Sequence, residues 1–206
     1  MKNGCVITGD IVGFTMIPPA RRKKLAEAST ELLISWAGNP AYASFFRGDS
    51  FQVLFQDIGT ALRRAVQLRC WFKKQSDTGF LLDARMVIGV GRIAYYGKNI
   101  LDSDGEAFHF SGRAFDKLEE TENLMIQTAD EEINDQLKIL FSLAEVIMAN
   151  WTISQTEAIY LLLEGKTQQQ IADELHIGQS AVNNRIKLSH WKQIERMNAY
   201  IESLIG

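Results

Sequence analysis

The residues best suited to chemistry lie in two separate parts of the chain. Towards the C-terminus, Gln179, Ser180, Asn183, Asn184, Arg185 and Lys187 share a short segment in which Val182 and Ile186 recur four residues apart. On a helix, that spacing turns one face inward and leaves a polar face free. Amide side chains and arginine can make paired hydrogen bonds to adenine and guanine edges in a major groove, and lysine or arginine can reach phosphates. From Gln179 to Arg196 the cations Arg185, Lys187, Lys192 and Arg196 meet a single carboxylate, Glu195, although residues 151–206 as a whole carry five cations against six carboxylates. Positive charge confined to one helix and its continuation suits groove docking. A helical bundle using the same face for dimerisation or partner docking is the competing reading. Near the other end, Gly9-Asp10 and Gly48-Asp49 close two apolar runs. Each has a local explanation, Asp10 as a helix cap and Asp49 as a turn residue. His109, His176 and His190 are too scattered for a metal site, and the chain contains no G-x-S-x-G or Walker A segment.

These residues need elements to hold them. Gly4 to Thr8 reads as a buried strand, and Pro18-Pro19 opens a helix whose Leu25, Ala28, Leu32, Leu33 and Trp36 recur at helical spacing up to Gly38-Asn39-Pro40. Ala43 to Arg47 and Phe51 to Phe55 flank Gly48-Asp49-Ser50, a hairpin signal. Gly59 to about Lys74 is a second helix, and Asp83 to Ala94 a strand whose Gly89 and Gly91 mark close backbone approach; the missing third glycine argues against a dinucleotide loop there. Glu106 to Glu120 reads as a helix and Asn123 to Thr128 as a short strand. Beyond Asp130 strand-like runs disappear. A helix from Asp130 to Asn150, apolar at Ile133, Leu137, Leu140, Ala144 and Ile147, leads to Thr167–Leu175, where Thr167 can cap a helix and Ile171 with Leu175 forms an apolar stripe. Ala172 is small where two helices would cross, and Ile177 plugs the turn. Trp191, Ile194, Met197, Ile201 and Leu204 line a last amphipathic helix expected to pack on the first domain or on a dimer partner. The division expected is therefore residues 1–129 in an α+β domain, 130–150 as a connecting helix and 151–206 as an all-α domain.

Residues Thr167 to Ile186 resemble a helix-turn-helix of the LuxR or sigma-factor region 4 type. Asp10-Ile11-Val12-Gly13-Phe14-Thr15 resembles the D-I-x-G-F-T segment that opens the class III nucleotidyl cyclase domain, Arg47 to Phe51 its second aspartate hairpin, Met86 to Ile93 its R-I-G-I-H-x-G strand, and Gly105 to Arg113 its G-D-x-V-N-x-A-x-R segment. That resemblance covers about residues 3–128 and implies a ferredoxin-like fold in which Asp10 and Asp49 hold Mg²⁺ or Mn²⁺ on a nucleotide. Hard, oxygen-preferring cations suit carboxylates and phosphates. It further implies that Ile11, Val12, Gly13, Phe14 and Thr15 offer backbone amides to phosphate, that Arg113 stabilises the transition state, that Asp102 falls near a base-reading position, and that the site forms between two chains. His109 stands where the family has its ribose-binding asparagine, and Phe45 where it has its base-reading lysine. The combined layout, with G-D-I-V at residue 9, G-D-x-F-Q at Gly48 to Gln52, and Glu164 to Gln168 before the helix-turn-helix, is similar to the SatD family over almost the whole chain.

Composition bounds these readings. The 206 residues are 46% hydrophobic and 23% charged, with net charge −3, as in a globular protein with a sizeable core. Two cysteines, without a C-x-x-C pair, argue against a disulfide scaffold and fit a reducing cytosol. The apolar run Cys5 to Thr8, stopped by Gly9-Asp10, is too short for a signal peptide or a membrane span, so an unanchored cytoplasmic protein is expected. The reading preferred is a DNA-binding regulator whose first domain, a degenerate cyclase scaffold, senses a nucleotide or mediates homodimerisation. The alternative is a working nucleotidyl cyclase with an attached helix-turn-helix. A purely structural partner-binding protein is the third.

Overall fold

The computed structural model describes residues 3–206 and shows a mixed α+β chain. Strand β1 (Asn3–Val12) leads to helix α1 (Pro19–Ala37), then β2 (Ala43–Phe46), β3 (Ser50–Phe55), α2 (Ile58–Lys74), β4 (Asp83–Tyr95), the two-residue β5 (Asp104–Gly105), α3 (Glu106–Phe115) and β6 (Leu124–Gln127). Five further helices follow among the described residues without another strand: α4 (Glu131–Ala149), α5 (Ile153–Leu163), α6 (Gln168–Leu175), α7 (Gln179–Leu188) and α8 (Trp191–Ile205).

The strands form one sheet in the order β2-β3-β1-β4-β5, antiparallel throughout, with β6 added parallel to β4. Alternation along β1 divides the structure into layers. Cys5, Ile7 and Ile11 belong to the main core with residues of α1 and α2, whereas Val6 belongs to a small second cluster with Ala107 of α3. The strand runs past Gly9-Asp10, where the sequence suggests an end, because β4 pairs with it as far as Val12.

Helix α2 packs between the sheet and the C-terminal helices. Ala61, Leu62, Ala65, Val66, Leu68, Arg69, Cys70 and Phe72 are all buried, as expected of a helix covered on more than one side. It packs on the sheet and also against α5 and α8. One continuous hydrophobic cluster runs from Cys5 through α2 to Ile171, Val182 and Ile201. Helix α4, capped by Asp130 and ending at Asn150, buries Leu137, Phe141, Ala144 and Met148, so it is a packing layer as well as a connection.

Arg69 fastens these layers. Its guanidinium donates to Asp83 at 2.9 and 2.7 Å and to Glu145 at 2.6 and 2.8 Å, tying α2 to β4 and α4. Burial pulls its pKa down, but the two carboxylates outweigh it and hold the cation charged. Lys73 closes the arrangement by donating to the carbonyls of Met148 and Ala149 at the end of α4. Among the described residues no helix is long and apolar enough to cross a membrane.

Candidate functional site

Two surfaces carry the residues singled out from sequence. The first is the end of the sheet where β1, β3 and β4 meet. Asp10 lies opposite Ser50 of β3 and opposite Arg85 of β4. Asp49, one residue before Ser50, accepts through its backbone carbonyl from the Ile11 amide at 3.0 Å. The two aspartates, separated by a helix and a strand in sequence, are thus neighbours at one end of adjacent strands.

Their environment differs from what cation binding needs. Arg85 donates to both carboxylate oxygens of Asp10, at 3.3 and 2.7 Å, and stacks over Phe115 of α3. The bond to Asp10 raises the arginine's pKa above its ordinary value. A bidentate pair of this kind is among the stronger protein ion pairs, and it commits both oxygens that a metal would use. The Asp49 carboxylate accepts from its neighbour Ser50 at 3.3 Å. No group of three metal-ligating side chains occurs among the described residues. In this arrangement the pair does not fit a preformed two-cation centre.

The loop Ile11 to Thr15 is also internally engaged. The Ile11 amide is used by Asp49, and Val12 is still paired with Asp83 in the β1–β4 ladder. Gly13 has φ +80, and a Cβ there would stand 2.3 Å from the Leu81 carbonyl, so glycine is required on both grounds. Arg22 of α1 donates to the carbonyls of Thr15 and Ile17 and lies over the Phe14 ring.

The remaining residues implied by the cyclase resemblance are elsewhere. His109 and Arg113 are exposed on α3, one turn apart. His109 Nε2 lies 2.9 Å from Asp104. Asp102 lies in a turn capped by Asn99, from whose amide it accepts at 2.6 Å. That turn adjoins the end of β4 near Ile93 and Tyr95, about 30 Å of extended strand from Arg85. Within one chain, Asp102 and the aspartate pair are therefore not brought together. Sequence reasoning missed Arg85 as the partner of Asp10, and also the side-chain chain Gln52–Thr8–Ser111 that joins β3, β1 and α3 (3.0 and 2.9 Å). Cys5 and Cys70 are buried, and burial pushes both thiols up to about 12, which removes them as nucleophiles near neutrality.

The second surface is formed by α6 and α7. Thr167 accepts from the Gln170 amide while Gln170 reaches back to the Thr167 amide, a complete capping box. His176 ends α6 in the left-handed region, the Ile177 amide returns to the Ala172 carbonyl at 3.0 Å, and α7 starts at Gln179 after a three-residue turn. Ile171, Ala172 and Val182 are buried where the helices meet, with Leu175, Ile177 and Ile186 packed alongside. Outward, α7 exposes Gln179, Ser180, Asn183, Asn184 and Lys187.

Arg185 is the exception. It is half-buried and turned towards α5, 3.4 Å from both the Ser154 carbonyl and Glu157. The reason is helical phase: residue 185 is three positions after the buried Val182 and shares its face. Lys192 and Arg196 on α8 are exposed, and neither they nor Lys187 forms an ion pair among the described residues. Trp151, at the start of α5, donates through Nε1 to the Ser189 carbonyl at 2.7 Å and so fixes the end of α7 to the rest of the chain.

A comparison with curated proteins finds no match. The family model of the SatD family matches residues 23–205, a span that takes in the Asp49 hairpin, the central helix α2 and every helix of the C-terminal half. With so much of the chain matched, the protein belongs to the SatD family.

Proposed function

We propose that this chain is a homodimeric DNA-binding regulator, with α6 and α7 as a helix-turn-helix and a degenerate cyclase-type α+β unit as its scaffold. The observation that carries the reading is the outer face of α7: amides, a hydroxyl and a lysine stand free on a helix whose inner face is locked by Val182, and the unpaired cations Lys187, Lys192 and Arg196 extend the same region. A helix entering a major groove needs base-edge donors and acceptors on one side and phosphate contacts beyond them. The strand order β2-β3-β1-β4 with β-α-β-β-α-β connectivity supports a ferredoxin-like reading of the first unit. Arg185, held by Glu157, is assigned to internal packing rather than to base contact.

Selection from a random duplex library, followed by fluorescence anisotropy on the enriched sequence, tests the proposal. The expected result is salt-dependent binding in which Asn183→Ala costs about 1–3 kcal/mol and Lys187→Ala weakens all sequences alike. No enrichment at low salt overturns the reading.

The neighbouring positions of Asp10 and Asp49 favour a second reading, a site for a metal-bound nucleotide. It requires that Arg85 release Asp10. A nucleoside triphosphate with Mn²⁺ or Mg²⁺ that raises the melting temperature of the intact protein, and not of Asp49→Ala, would support it; no shift with either cation removes it.

A further inference from the structure

Arg21-Arg22-Lys23-Lys24, in the first turns of α1, is the longest unbroken run of charged residues in the chain, and from Ile11 to Leu25 no acid accompanies it. Local structure does not account for the run. Cations at the start of a helix oppose its macrodipole, and α1 has neither an acid in its first turn nor a capping side chain at Pro18. Carboxylates compensate it only in part. Arg21 meets Asp77 at 3.1 Å and Lys23 lies 3.8 Å from Glu27, both exposed pairs of small worth; Arg22 donates to the carbonyls of Thr15 and Ile17, and Lys24 forms no ion pair among the described residues. A fifth cation joins them from the β2–β3 hairpin. Arg47 is exposed at its tip with φ 55, a left-handed position that asparagine or glycine takes more readily. A Cβ on the adjacent Gly48 would lie 3.7 Å from the Phe14 ring, over which Arg22 is placed.

The same end of the molecule exposes apolar side chains. Here β1 gives way to α1 and α2 to β4. Leu81, just before β4, is 77% exposed and Met16, just before α1, is 65% exposed. Val12 and Ile153, also exposed, line a cavity of about 270 Å³ together with Leu81. The Met16 amide returns to the Gly13 carbonyl at 2.9 Å, and Gly13 rests against the Leu81 carbonyl, so Val12, Met16 and Leu81 belong to two touching loops. Arg21 lies over Phe80, the neighbour of Leu81, and links the cations to them. Consecutive helical positions are turned by about 100°, so the four cations ring the end of α1 instead of lining one side.

We infer that this end of the molecule docks on the surface of an anionic lipid bilayer. The cations meet headgroup phosphates, and Leu81, Met16 and Val12 enter the boundary between headgroups and acyl chains. Clusters of four or more Lys and Arg are drawn to a negatively charged membrane surface, and firm attachment takes an apolar contribution besides the charge. Both stand here on touching loops. The exposed leucine and methionine separate this reading from a second nucleic-acid surface, since a duplex backbone offers phosphates but nothing apolar to receive them. Peripheral docking needs no spanning helix, and it rests on none of the α7 residues assigned to DNA.

Cosedimentation of the full chain with vesicles tests it, using phosphatidylcholine alone and an equimolar mixture with phosphatidylglycerol. The expected result is binding to the mixed vesicles only, weakened by added salt. Lys23→Gln combined with Lys24→Gln should weaken it about ten-fold or more, and Leu81→Ser about five-fold. Arg47→Asn should weaken it about five-fold while leaving the melting temperature unchanged or higher, because asparagine suits the turn. Equal binding to neutral vesicles, or binding to neither kind, overturns the proposal. So does unaltered binding by the double lysine variant or by Leu81→Ser, and a loss of duplex affinity in the lysine variant without any vesicle binding reassigns these cations to nucleic acid.

Discussion

Arg69 shows how much one side chain can hold. It is 1% exposed and serves Asp83 and Glu145, and Glu145 also accepts from Asn123 at 2.9 Å. A buried pair adds little compared with apolar packing, but removal of one partner strands the others. Arg69→Met is therefore expected to lower unfolding stability by about 3 kcal/mol, the lower end of the usual range because both carboxylates retain some solvent; urea denaturation measures it, and a loss below about 1 kcal/mol would show that the network is not structural. At the same scale, the sequence showed Asp10 and Asp49 but not their chemistry. Arg85 is 75 positions from Asp10 and meets it only through the β1–β4 register. No local pattern encodes that pairing. The contrary case is Arg185, whose burial was legible: it lies three residues beyond Val182 on the same helical face, whereas composition alone groups it with the exposed amides.

At the scale of elements, glycine in β4 was a correct signal of close approach. A Cβ on Gly89 would fall 2.1 Å from the Ala107 carbonyl oxygen and 2.5 Å from the Ser111 amide, so α3 rests directly on the strand's backbone. Backbone atoms cannot step aside as a flexible side chain can. Gly89→Ala should lower stability by about 1–3 kcal/mol, whereas Gly112→Ala on α3, where a Cβ meets nothing within 4 Å, should raise it by up to about 1 kcal/mol. Melting curves of the two variants check the pair, and equal effects would contradict the packing described. Helix α3 also stops at Phe115 rather than continuing towards Glu120. After Phe115 the amides of Lys117 and Leu118 bond three residues back, unwinding the helix so that β6 can return beside β4. Amphipathic spacing continues through that turn, which is why sequence extends the helix too far.

For the whole molecule, α4 presents an apolar stripe that its own chain does not cover. Ile139, Leu143 and Val146 are 62–67% exposed, spaced to share one side of the helix, while Leu137, Phe141 and Ala144 face the core. Monomers seldom leave such a stripe to water, and it is the face on which the proposed homodimer is expected to form. The dimer proposed above is expected to sediment as such, and Leu143→Glu to sediment as a monomer with weakened DNA binding; a dimer that survives the substitution would assign the interface to another face.

What the amino-acid sequence determined by itself was most of the elements and their polarity, because helix caps, hairpin turns and the periods of two and three to four residues are local. The capping box at Thr167, the hairpin at Gly48-Asp49 and the free polar side of α7 all follow from residues within a few positions of one another. What the tertiary structure decided was who meets whom. It made α2 a shared wall between the sheet and the C-terminal helices and set Arg85 on Asp10. Those outcomes depend on strand register and helix packing between segments far apart in the chain, which nearest-neighbour chemistry does not specify.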